Sequence, residues 1–173
     1  MSIGILLLLR LVHIVLGAFW VGAVVFIALF LMPSVRAAGP AGGAVMQQII
    51  QTRRLSVWLM AAAVLTVLSG IGLYWHDSAG FTSTAWLGSR QGRVFGLGGI
   101  LAISAVIIGM AVNSPAGRKL GEMGAQVQAS GRPPTPDQTA TIQRLQERLG
   151  RATVVVATLL VLAAVAMSVA RYA

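Results

Sequence analysis

Four stretches of this chain, about Ile3 to Met32, Leu55 to Trp75, Val94 to Val112 and Ala152 to Ala170, are each long and apolar enough to cross a bilayer. A hydrocarbon core of ~30 Å takes about 20 apolar residues as a helix, which satisfies its backbone polar groups internally. Across the 173 residues, 57% are hydrophobic and 10% charged, far from the roughly one quarter charged of soluble domains. These constraints predict an all-α integral membrane four-helix bundle. One membrane domain covers residues 1–173, with spans at about 3–32, 55–75, 94–112 and 152–170.

Charge placement predicts the orientation. Arg36, Arg53 and Arg54 lie between the first two spans, and Arg118, Lys119, Arg132, Arg144, Arg148 and Arg151 lie in or at the end of the polar connection 113–151. Lys and Arg accumulate on the cytoplasmic side of membrane proteins, so both connections are expected there. Both termini and the His76 to Arg90 loop then face the periplasm or exterior of a bacterial inner membrane. The net charge of +9 thus reads as topology and not as a nucleic-acid surface. The expected partners are membrane lipids, together with other membrane subunits or further copies of the chain.

The first charge, Arg10, falls inside the apolar run, and Gly17-Ala18 leads into Phe19-Trp20. A signal peptide has a basic start and a small-residue cleavage site, so the N-terminal run is expected to persist as a helix. Pro33 is expected to end it. Ala44 to Arg54 has helical character and should lead into the second span. Thr135-Pro136-Asp137-Gln138 forms a capping box at the start of the fourth helix. Helices two and four should therefore extend together into the cytoplasm. In the third span Gly92, Gly96, Gly99, Val106 and Gly109 suggest a seam for close helix packing. Tyr74, Trp75, Trp86 and Tyr172 mark one membrane interface and Trp58 the other.

Arg10, His13, Gly17 and Trp20 are spaced 3, 4 and 3 apart, which places all four on one helical stripe. Polar side chains in a span are costly and commonly functional. A lone intramembrane histidine has two uses: a hydrogen bond to a neighbouring helix, or ligation of haem or copper through a neutral ring nitrogen. His76 closes the second span and is the only other imidazole. Arg10, Arg90 and Arg93 share that side with one acid, Asp77, and their guanidinium groups suit carboxylates such as haem propionates. Cysteine is absent, which excludes disulfides and thiolate ligands. The methionines form no copper-binding cluster.

Val12-His13-Ile14-Val15 followed by Trp20-Val-Gly22 resembles the first helix of the copper-resistance CopD superfamily and of the HemJ protoporphyrinogen oxidases. Leu68-Ser-Gly70-Ile-Gly72-Leu-Tyr-Trp75 resembles the end of their second helix. The resemblance implies a four-helix membrane fold, His13 as a haem ligand with Trp20 beside it, and a relation to copper handling through the CopD branch. HemJ-like proteins carry a lysine near the start of the third helix, where this chain has Arg90 and Arg93. Three functions are expected. The first is a b-type haem-binding or redox-associated protein with His13 as ligand and with Gly17, Trp20, Arg10, Arg93 and His76 around the cofactor. The second is copper handling, and the third is a non-catalytic subunit or scaffold of a larger membrane complex.

Overall fold

A computed structural model describes residues 1–173, the side chain of Pro40 excepted. Its regular elements are all helical: α1 (Ile3–Phe26), α2 (Met32–Ala37), α3 (Gly39–Gln51), α4 (Leu55–Asp77), α5 (Thr84–Gly88), α6 (Arg90–Ile108), α7 (Ser114–Ser130) and α8 (Pro136–Val169). Four helical rods, Ile3–Ala37, Leu55–Asp77, Arg90–Ser130 and Pro136–Tyr172, are long and apolar enough to span a membrane. The protein is a multi-pass membrane four-helix bundle.

Pro33 does not end the first helix. The chain passes through a π-helical turn, Ile27–Leu31, directly into α2, with the Met32 N–H donating to the Ile27 carbonyl. A proline lacks an N–H and its ring crowds the carbonyl four residues back. Widening the preceding turn by one residue shifts that register and lets the rod continue. The same solution recurs ahead of Pro115, where the turn Gly109–Asn113 joins α6 to α7 and the Ser114 N–H donates to the Gly109 carbonyl.

The helix leading toward the second span is present as α3, but it is set off from α4 at Thr52–Arg54, where Arg54 adopts a left-handed φ of 52°. At α8 the capping box forms in full: Gln138 N–H donates to Thr135 Oγ1 (3.3 Å), and Thr135 N–H donates to Gln138 Oε1 (2.9 Å). α8 therefore extends well past its apolar stretch. At the same basic end Arg36 of α2 reaches across to α8, its Nη2 donating to the Gln146 carbonyl (2.6 Å).

In the bundle α1 packs along α4 and α6 along α8, and the two pairs meet through α1 with α8 and α4 with α6. The shared core is built mainly from small residues, Ala28, Ala62, Ala63, Ala102, Ala105, Ala157 and Ala163, around Trp20, Val24, Val156 and Leu160. Without a hydrophobic drive between helices in lipid, close backbone approach and dispersion carry the packing, and alanine permits that approach. Large apolar side chains such as Leu11, Ile14, Leu29, Phe30, Ile100 and Ile107 lie on the outside, where lipid solvates them.

The glycine seam differs from the expected one. Gly98 meets α8, since a Cβ there would stand 2.9 Å from Met167 Cγ and 3.3 Å from the Ala163 carbonyl, whereas Gly99 and Gly109 have open space. Gly92 and Gly96 serve other neighbours, packing under Trp86 of α5 and Tyr74 of α4 respectively. α6 meets α4 and α5 with one set of residues and α8 with another, and the buried line Gly98, Ala102 and Ala105 begins at its α8 contact.

Candidate functional site

The α1 stripe faces α4. Trp20 is 5% exposed and belongs to the bundle core, so it does not face lipid. One turn along, Gly17 lets α4 approach closely: a Cβ there would lie 3.3 Å from Thr66 Cγ2. A further turn along, His13 is half-buried, and its Nδ1 lies 2.8 Å from the Thr66 carbonyl oxygen.

A carbonyl oxygen only accepts, so the hydrogen of a neutral His13 must sit on Nδ1. The tautomer is therefore set by α4, and Nε2 keeps its lone pair. Gly70 makes room for the ring. A Cβ on Gly70 would come within 2.7 Å of His13 Cε1 and 3.0 Å of Nδ1, but 3.8 Å from Nε2. Nδ1 and Cε1 are thus the ring atoms pressed closest to Gly70.

Thr66 and Ser69 complete the polar lining. Ser69 is 4% exposed and its hydroxyl donates to the carbonyls of Leu65 (2.6 Å) and Thr66 (3.0 Å). Thr66 is 6% exposed, and its Oγ1 is buried with no hydrogen-bond partner among the described residues. Buried hydroxyls usually find a partner, so this oxygen is the polar atom of the site that remains to be satisfied. The sequence signal of Thr66 and Ser69 is the 3 and 4 spacing of Thr66, Ser69, Gly70 and Leu73, a stripe on α4 of the kind recognised on α1.

The remaining candidates lie toward the end opposite the basic connections. Arg10 is exposed, one turn beyond His13. Arg93 is exposed on the first turn of α6, its Nε donating to the Ser89 carbonyl at 3.4 Å. His76 is half-buried near the end of α4. From Gly70, level with His13, to His76 is six residues, about 9 Å of helical rise. The two imidazoles are not brought to one depth. At that same end Tyr74 donates to the Gly92 carbonyl (3.2 Å) and meets Trp86 edge-on, with centroids 4.9 Å apart, which ties α4 to α6.

Which group this donor set fits follows from how many ligands each needs. Among the described residues no three of His, Cys, Asp or Glu come together, so a copper ion at His13 would not find a set of three such ligands. Haem brings its own four equatorial nitrogens and asks the protein for as little as one axial donor. A histidine whose Nδ1–H is held by a carbonyl is the usual form of such a ligand. Comparison with protein-family models, with curated proteins and with solved structures gives no match to this chain.

Proposed function

We propose that this protein is a small b-type haem-binding, redox-associated membrane protein in which His13 would hold the haem through Nε2. The observation that carries the reading is the Nδ1 hydrogen bond to the Thr66 carbonyl, which holds the ring and leaves Nε2 as the free donor. When bound, the haem supplies one-electron chemistry; the chain supplies placement and charge. Gly70 and Gly17 let α4 close on α1 at the ligand, and Trp20 fills the bundle interior beyond it. Arg10 and Arg93 place guanidinium charge toward the same end, where they would hold propionates. His76, about 9 Å from the depth of His13, would not hold the same group in this reading. With the basic connections on the cytoplasmic side of a bacterial inner membrane, the site lies toward the outer face.

The test is the visible spectrum of the full chain purified in mild detergent from cells supplied with haem, oxidised and then reduced. A Soret band that His13→Ala abolishes and His76→Ala leaves in place is the expected result. Absence of any Soret band in the wild-type protein overturns the reading, and metal analysis of the same sample tests copper. One observation favours a second reading, that of a structural subunit: the same His13–Thr66 bond closes the α1–α4 seam by itself. Stoichiometric partners retained from native membrane, with no cofactor band, would support that role.

A further inference from the structure

At the basic end, away from His13, two features of α4 stand next to one another. Arg53 and Arg54 are exposed and immediately precede Leu55, the first residue of the span. Directly beyond them, Ser56, Val57, Met60, Ala61 and Val64 line an open apolar groove of about 480 Å³ on the outer surface of the helix. The groove follows α4 for nine residues, Ser56 to Val64, about 12 Å of rise into the membrane.

The charge of this arginine pair is unbalanced. No Asp or Glu occurs in the chain before Asp77, which lies at the other end of α4. The ion pairs among the described residues are Arg118 with Glu122 and Arg151 with Glu147, so neither Arg53 nor Arg54 is within 4.0 Å of a carboxylate. Lys119 of α7, which makes no ion pair among the described residues, adds positive charge nearby, since Gln51 at the end of α3 comes near Gly121, with a Cβ there 4.0 Å from Gln51 Nε2, whereas Arg118 is offset by Glu122. Two exposed arginines immediately before the span, followed along α4 by an open apolar surface, match the two halves of one molecule.

We propose that Arg53, Arg54 and the α4 groove form a binding site for an anionic phospholipid, the arginines holding its phosphate and the groove one acyl chain. Guanidinium pairs bidentately with phosphate oxygens, and a phosphate and a net-negative headgroup favour this pair over a zwitterionic one. Ser56 places a hydroxyl at the mouth, between headgroup and chain. This site is independent of any cofactor at His13.

Trp58, 65% exposed and one turn from Arg54, is a reporter inside the span. The experiment reconstitutes the full chain in phosphatidylcholine vesicles in which a fraction of the lipid carries brominated acyl chains, either phosphatidylglycerol or phosphatidylcholine. Quenching of Trp58 is read as the difference between wild type and Trp58→Phe. Brominated phosphatidylglycerol is expected to quench at a lower mole fraction, by about fivefold for each arginine engaged, and the preference should weaken with salt. It should vanish in Arg53→Gln/Arg54→Gln and persist in Arg53→Lys/Arg54→Lys, which controls for folding. Equal quenching by the two lipids overturns the proposal, as does a preference unchanged in the glutamine variant. Binding of an acidic protein at this surface without any lipid preference overturns it as well.

Discussion

His13 on α1 donates from Nδ1 to the carbonyl oxygen of Thr66 on α4 at 2.8 Å, and the bond exists because residue 70, one turn further along α4, has no side chain. An imidazole ring beside a helix backbone needs a gap the size of a Cβ, and Gly70 supplies it. The hydrogen bond and the gap are one device: the first orients the ring and the second admits it.

Gly70→Ala is accordingly expected to destabilise the protein by about 1–3 kcal/mol, because the new Cβ must displace the ring and the hydrogen bond with it. His13→Ala removes the obstacle. The double variant should cost less than the sum of the two single ones, with a coupling of about 1 kcal/mol. Thermal unfolding in detergent, followed by circular dichroism, measures the cycle; additive costs would show that the ring and Gly70 do not share this space.

The two adjacent glycines of α6 make a sharper contrast. Gly98→Ala drives a Cβ against Met167 and the Ala163 carbonyl, and a cost of about 1–3 kcal/mol is expected. Gly99→Ala meets open space and gains helix propensity, so its effect should stay within about 0.5 kcal/mol or be stabilising. Equal effects in the same unfolding assay would mean that α6 does not turn Gly98 toward α8.

Orientation can be read without background, since the chain contains no cysteine. Thr82→Cys, in the loop between α4 and α5, is expected to react with a membrane-impermeant maleimide in intact cells. Gln128→Cys, near the end of α7, should react only after the membrane is opened. The reverse pattern would move His13 toward the cytoplasmic leaflet and the arginine pair of α4 toward the outer one.

Much of the candidate site was legible before any fold was known. The stripe of His13, Gly17 and Trp20 is a matter of helical period, and the structure turns it toward α4 and the bundle core. Thr66, Ser69 and Gly70 were visible as residues but not as partners, because contact between residues 53 and more positions apart depends on how two helices align. His13, about one turn inside the first span, and His76, at the edge of the second, already read as unequal in depth, and the register of α1 on α4 sets that difference at about 9 Å.

The sequence by itself determined the four spans, the helical class, the capped start of α8 and the collection of basic residues at one end. Each of these rests on local physics: apolar length against bilayer thickness, a side chain bonding a backbone group three residues away, and charge near a span end. Only the structure decided that the first rod continues past Pro33, that Gly98 rather than Gly99 meets α8, and that Gly70 houses the His13 ring. The first of these rests on a turn widened by one residue ahead of the proline, and the other two on close packing between helices distant in sequence, where the space for one Cβ decides which faces meet.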